Sequence, residues 1–245
     1  MADHDPLAFV YDAAPQRSPE WLETKRGKIG ASRLEDWLAV SKQKNSLGKP
    51  LKARLDYEKE LMFERQFNAS FNNFVNDAMQ DGIDFEDFGR KQYEQIEKVT
   101  CEEVGCWAND YFVASPDRKV AGKNAGIEIK IVRDNTFVEV LMSGVPPKHW
   151  KQIQGQLWAT KWDYIDYVCV NFTTKKVVIV RVEPDKEFHD YLAEAVQEKL
   201  VVEPFALDTV HDIVGELPDW TRGELSALSG APVDHSDSNV KAGGW

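Results

Sequence analysis

Residues Val113–Val132 read VASPDRKVAGKNAGIEIKIV, and the second half of this stretch sets the fold class. In GIEIKIV, isoleucine alternates with a charged residue, the period of a β-strand. Ile127, Ile129 and Ile131 then share one face, and Glu128 and Lys130 share the other. An acid and a base on one strand face fit either a solvated surface or a chemical site. A second carboxylate bears on that choice. Asp117 follows the strand-like DYFVAS, and RKVAGKNAG would join it to the next strand as an antiparallel neighbour. That pairing brings Asp117 toward Glu128 and Lys130. Two carboxylates beside one ammonium suit a hard divalent cation such as Mg²⁺, which takes oxygen ligands, the backbone carbonyl of Ile129 being a further candidate. Lys130 would position or deprotonate the attacking water, with its pKa lowered by the cation.

Working outward, the sequence on both sides is consistent with an α/β domain. Upstream, ASRLEDWLAV (31–40) has helical spacing with Ser32 as an N-cap, and SKQKNSLGKP is a basic loop. LKARLDYEKELMFERQF forms a helix with Leu51, Leu55, Leu61 and Met62 on its apolar side, and two further helices are expected at about 70–79 and 86–99. Downstream, YIDYVCVNF and KKVVIVRVE read as strands. Helical stretches at about 136–142 and 147–161 cross between GIEIKIV and YIDYVCVNF, the second opened by Pro146 and Pro147. EFHDYLAEAVQEKLVVE is an acidic helix and LDTVHDIVGEL a shorter one. Helices, then strands with a helical crossover, predict a central mixed β-sheet flanked by helices. The expected organisation is an N-terminal arm (1–18), a domain (19–217) and a flexible tail (218–245) rich in Gly, Ser, Asp and Pro.

Composition narrows the chemistry. Cys101, Cys106 and Cys169 supply no disulfide framework or four-ligand metal site and read as buried thiols. The five histidines form no HExxH or HxH pattern. No apolar run approaches the roughly 20 residues of a membrane span, and no secretory signal opens the chain, so a cytoplasmic, membrane-free protein is expected. The net charge is −11, unevenly spread. Residues 183–245 hold 14 acids against 4 bases (−10), and residues 25–54 hold 9 bases against 2 acids (+7). A polyanion needs a local positive field rather than a basic average, so a nucleic-acid partner stays open.

Ser115-Pro116-Asp117, followed after ten residues by Glu128-Ile129-Lys130, resembles the PD-(D/E)xK nuclease motif. Three further elements resemble one branch of that superfamily, the phage-type alkaline exonucleases that include lambda exonuclease and the YqaJ-like viral recombinases. A W-x3-R-x-G-x-I-x-A-S signature is matched by Trp21, Lys25, Gly27, Ile29, Ala31 and Ser32. A G-x3-YE element is matched by Gly89, Tyr93 and Glu94, and a Q-x-Q element with a hydrophobic run by Gln152, Gln154, Leu157 and Trp158. All occur in the family's order across about residues 19–182.

The resemblance implies a restriction-endonuclease-like core. It further implies an Mg²⁺-dependent 5′→3′ exodeoxyribonuclease, using two ions with Mn²⁺ as a substitute. Such an enzyme degrades one strand of linear duplex DNA from its ends and leaves a 3′-ended strand. Asp117 and Glu128 would be the principal metal ligands, Glu94 a further acidic ligand or outer partner from its helix, Lys130 the residue acting on water, and Gln152 its assistant. Ser32, Ser115 and Lys25 with Arg26 would bind the 5′-phosphate; Lys25 stands where the family has Arg and lacks its bidentate fork. The resemblance also implies a trimeric ring, a single-strand annealing partner and a role in phage recombination in the cytoplasm of the bacterial host. The same motif serves structure-specific or restriction-like endonucleases and inactive DNA-end-binding modules, which are the rival readings. The iron–sulfur nucleases of the helicase-associated type are disfavoured because their four cysteines are missing.

Overall fold

A computed structural model of the chain describes residues 5–71 and 77–197. These belong to one compact unit; the expected helix LDTVHDIVGEL and the tail lie outside the described residues.

The charged-apolar alternation of GIEIKIV becomes β7 (Ala125–Val132), the middle strand of a five-stranded sheet. Its order is β3 (Cys101–Glu102), β6 (Arg118–Val120), β7, β8 (Tyr164–Asn171) and β9 (Val177–Val182). β6 is antiparallel to β7, β8 is parallel to β7, and β9 is antiparallel to β8, so the sheet is mixed as expected. The segment RKVAGKNAG is therefore not all turn: Arg118–Val120 is itself the partner strand, registered Arg118 opposite Ile127. The crossover from β7 to β8 consists of helices α5 (Asp134–Ser143) and α6 (Pro147–Thr160), because parallel neighbours cannot be joined by a hairpin.

Both sheet faces are covered, which overturns a solvated outer face for Glu128. On one side Ile127, Ile129, Val168 and Val170 pack with Tyr93 of α4 (Asp77–Glu97). The element expected as two helices, 70–79 and 86–99, is this single helix; Ser70 and Phe71 precede it and are not helical. Gly89 is needed there, since a Cβ would lie 2.7 Å from Ile129 Cγ2 and 3.3 Å from Val170 Cγ2. On the other side Ile153 and Leu157 of α6 pack against Ile165, Tyr167 and Cys169.

A second sheet, ordered β1 (Val10–Asp12), β4 (Cys106–Ala108), β5 (Phe112–Ala114) and β2 (Ile29–Gly30), lies beyond α6. The N-terminal arm is thus partly a strand, with Val10 opposite Ala108. Trp158 of α6 meets Phe112 and Phe9 edge-on, and Gly155 lets Leu34 and Phe112 approach. Gln152 to Ala159 are consequently all buried, as expected for a helix with protein on every side.

The N-terminal elements depart from expectation in two places. Ser32 caps no helix: it lies in a 3₁₀ turn, Ala31–Arg33, that runs into the short α2 (Leu34–Trp37). Leu51, just before α3 (Lys52–Phe67), and Leu55 within it are exposed, and the buried side of the helix is Arg54, Tyr57 and Leu61. The reason is an aromatic partner, since the Arg54 guanidinium sits 3.0 Å from the centroid of the Trp37 ring and donates to the Trp37 carbonyl. α1 (Pro19–Lys25) is capped by Ser18, whose hydroxyl accepts from Trp21 N–H. Helix α7 (Lys186–Gln197) buries Leu192 and Val196. Cys106 and Cys169 are buried thiols and Cys101 is half-buried. Among the described residues no helix is long and apolar enough to cross a membrane.

Forcing a side chain between α4 and β7 should loosen this packing. Gly89→Val is expected to cost about 1–3 kcal/mol of overpacking, read as a lower urea midpoint at unchanged slope.

Candidate active site

The β6–β7 register places Asp117, one residue before β6, beside Glu128. Asp117 Oδ2 accepts a 2.6 Å hydrogen bond from Ile129 N–H. Glu128, almost fully buried, is held at both oxygens: Oε1 accepts from Lys130 Nζ (2.5 Å) and Gln152 Nε2 (2.6 Å), and Oε2 from Gln156 Nε2 (2.6 Å). Gln152 and Gln156 stand one turn apart on α6 and grip one carboxylate from the same helix face. Sequence reasoning missed Gln156; its spacing from Gln152 on a helix packed over the sheet was the signal. Its Oε1 is buried with no hydrogen-bond partner.

The charges do not balance locally. Burial and the neighbouring Glu128 charge push the Asp117 carboxyl well above the usual carboxylate range, against the pull of Lys130 and the Ile129 N–H. Burial works to lower Lys130, but Glu128 and Asp117 outweigh it and hold the ammonium above its ordinary value. The metal-free chain therefore holds Lys130 firmly protonated, and the expected lowering of its pKa is not a property of the metal-free site. His149 lies near Lys130; burial, then Lys130 and Lys148, bring it down to about 4. Its ring is neutral at physiological pH, with Nδ1 2.7 Å from the buried Tyr167 hydroxyl.

Glu94 does not join this cluster. One oxygen accepts from Arg90 (2.6 Å) and the other from Cys101 N–H (2.7 Å), at the outer strand of the sheet. The α4 acid whose field reaches Asp117 and Lys130 is Glu86. It accepts from Arg118 and from Arg17, each at 2.9 Å. Glu86, Gly89 and Tyr93 lie at i, i+3 and i+7, one helical stripe facing the sheet, whereas Glu94 is a step around the helix. Among the described residues no group of three carboxylates, histidines or cysteines is close enough to hold a metal. Asp117 and Glu128 with the Ile129 carbonyl, completed by water, remain a donor set of the oxygen type that Mg²⁺ accepts. The raised Asp117 pKa follows from burial and the crowding of Glu128, which outweigh the pull of Lys130.

The N-terminal residues collect elsewhere. Lys25, Arg26, Lys28, Ser32 and Arg33 line a cleft of about 220 Å³, closed on one side by Val113 of β5. Lys25 Nζ lies 3.7 Å from the Trp21 ring centroid, and burial lowers its pKa to about 8, opposed by Cys106 and Glu64. Arg26 bonds Glu23 and Asn68, leaving a buried Nε unpartnered. Ser115 is not on the cleft wall; its hydroxyl accepts from Trp21 Nε1 (3.0 Å) and donates to Gly105 O (2.8 Å). Ser115 thereby ties α1 to the turn that presents Asp117, and Gln16 does the same through the Pro116 carbonyl (2.8 Å).

The sequence model of the YqaJ-like viral recombinase domain matches residues 20–163. The chain belongs to this family. Among solved structures, the YqaJ-like chain is similar to an alkaline exonuclease (LHK-Exo) from Laribacter hongkongensis, at 28% identity and TM-score 0.63 over 74% of this chain and 89% of that one. LHK-Exo in complex with dAMP matches at 26% identity and TM-score 0.61, over 73% and 89%. A phage-related exonuclease from Haemophilus somnus 129PT, at 17% identity and TM-score 0.55 over 69% and 90%, shares the fold. No curated protein matches. Family and fold together mark the chain as a phage-type exonuclease of mixed α/β architecture.

The crowding at Asp117 has a stability consequence. A carboxyl whose pKa is higher folded than unfolded binds its proton more tightly when folded, so the metal-free protein loses stability as pH rises from the unfolded value of 3.8 toward the raised one. Asp117→Asn removes that charge and keeps an oxygen for Ile129 N–H. In chelator at neutral pH the variant is expected to melt about 2–4 °C higher, as for a gain near 1 kcal/mol, with the difference vanishing toward pH 4.

Proposed function

We propose that this YqaJ-like protein is a divalent-metal-dependent exodeoxyribonuclease that degrades one strand of linear duplex DNA in the 5′→3′ direction. The observation that carries the reading is the convergence of Asp117, Glu128 and Lys130 on one buried strand pair, tied through Ser115 and Trp21 to a cationic cleft. The dAMP held by LHK-Exo is a deoxynucleoside monophosphate, the kind of product that such a reaction releases.

Asp117, Glu128 and the Ile129 carbonyl would hold Mg²⁺, with room in the reading for a second ion and for Mn²⁺. When bound, the metal supplies Lewis-acid activation of water and charge stabilisation at the departing 3′-oxygen. The protein's part is preorganisation. Ile129 N–H fixes Asp117, while Gln152 and Gln156 fix both oxygens of Glu128, so the ligand geometry is set before substrate arrives. Lys130, kept protonated, donates toward the water and the phosphate oxygens. Glu86 takes the outer acidic position expected of Glu94. Lys25, Arg26 and Ser32 receive the 5′-terminal phosphate in the cleft, and Ser115 acts on that site by positioning Trp21, over which Lys25 lies. The family resemblance extends the reading to a trimeric ring, a single-strand annealing partner and phage recombination in the host cytoplasm.

Lys130→Ala should abolish cleavage, a loss of about 10²–10⁴-fold, while binding of duplex ends stays within a few-fold of wild type. Equal losses of both would count against Lys130 acting on the reaction. End-resolved digestion tests polarity: with Mg²⁺, a 5′-phosphorylated linear duplex should shorten from its 5′ ends faster than a 5′-hydroxyl duplex. A covalently closed circle should survive; its digestion would indicate an endonuclease.

A further inference from the structure

A second cationic feature stands where β7 and β8 end, apart from the N-terminal cleft. Phe172, just past β8, donates its N–H to Val132 O (2.8 Å), holding the two strand ends side by side. Its ring meets that of Phe85 on α4 edge-to-face, with centroids 5.2 Å apart. Lys175, in the left-handed backbone region at φ 57°, places its ammonium 3.8 Å from the Phe85 centroid and 4.4 Å from that of Phe172. From the other strand end the Arg133 guanidinium stacks 4.1 Å from the Phe172 centroid. Arg133, Lys175 and Lys176 are exposed, and neither lysine pairs with a carboxylate among the described residues. The acid beside them, Asp134, accepts from Asn171 (2.8 Å). Among the described residues, this end of the sheet presents Arg133, Lys175 and Lys176 on its surface. It also adjoins the candidate site: Arg133 is three residues past Lys130, and Phe85 precedes Glu86.

We propose that Phe85, Arg133, Phe172 and Lys175 form a binding surface for single-stranded DNA beside the cleavage centre. The proposal rests on the nuclease reading above. Cations stacked on aromatic rings keep their charge facing solvent, where it meets phosphates, and a stacked guanidinium offers its outer plane to a base. Positive charge interleaved with π-surfaces is the chemistry of sequence-tolerant single-strand binding. A duplex, whose base faces are already stacked on one another, gains only the charge contacts.

The test uses the full chain in chelator, titrated into a short fluorescein-labelled oligothymidylate or a blunt duplex and read by anisotropy. Arg133→Glu/Lys175→Glu changes exposed side chains, and an unchanged melting temperature confirms its fold. It should weaken oligothymidylate binding about tenfold and flatten the slope of log K against log salt by at least about 0.7, the share of one lost phosphate contact, with a smaller effect on the duplex. Unchanged oligothymidylate affinity and slope, or an equal loss on the duplex, overturns the proposal. Nucleotide release from linear duplex with Mg²⁺ is measured on the same wild-type preparation. Release without the expected binding loss sinks the surface alone; the binding loss without release sinks the nuclease reading and leaves the surface standing.

Discussion

Everything at this site depends on two carboxylates packed side by side, Glu128 buried and Asp117 half-buried, with the Lys130 ammonium bonded to one of them. Alone, such a group is unfavourable, because burial and mutual repulsion both penalise the second negative charge. The protein does not relieve this by letting water in. Glu128 is almost fully enclosed and its oxygens are saturated by Lys130, Gln152 and Gln156. The residual tension falls on Asp117, whose carboxyl is driven up in pKa. A site built this way favours additional positive charge near Asp117.

The fold provides this arrangement with few elements. A parallel β7–β8 pair requires a crossover, and the crossover supplies α6, which carries Gln152 and Gln156 over Glu128. The β6–β7 hairpin supplies Asp117 by register alone. The second sheet, on the far side of α6, supports the turn that carries Ser115 and Asp117 and joins it to the N-terminal cleft. Gly155 and Gly89 are the two close approaches that let helices sit tightly against these layers. Site geometry is therefore a consequence of packing rather than of a flexible loop.

What could be read in the chain follows from how far each signal reaches. The period-2 alternation of β7 and the apolar richness of β8 and β9 are local and showed the sheet directly. The hairpin from Asp117 to Glu128 followed from that alternation. Strands of two or three residues, such as β2 and β3, are too short to have a period, and their existence depends on partners distant in sequence. Glu94 lies away from the cluster for a related reason. The Gly89-x3-Tyr93 pair marks a helix face, but its two residues serve packing: Gly89 admits Ile129, and Tyr93 donates to the buried Asp166 (2.8 Å). The acid on that same stripe is Glu86, eight residues and about 12 Å of helix axis before Glu94. Reading α4 as two helices hid the continuity that would have shown it. Gln156 was missed because the family pattern directs attention to Gln152 and Gln154. The structure turns Gln154 away, toward Glu183 and Asp185.

Charge counting met the same limit. The balance of +7 over residues 25–54 predicted a positive field, yet much of it is answered within the fold. Arg33 pairs with Asp36 and Glu60, Arg54 with Glu58, Lys52 with Asp56, and Arg26 with Glu23. Three of these five acids, Asp56, Glu58 and Glu60, lie on α3 just beyond the counted window. The field that is left over is smaller and better aimed: Lys25 held on Trp21, and Lys28 beside it in the cleft. Exposed ion pairs contribute little stability, but they decide which cations remain for a polyanion. For a chain with an overall excess of acid, the cations such pairs leave over are the ones a polyanion would meet, and among the described residues Lys25 and Lys28 in the N-terminal cleft are of this kind.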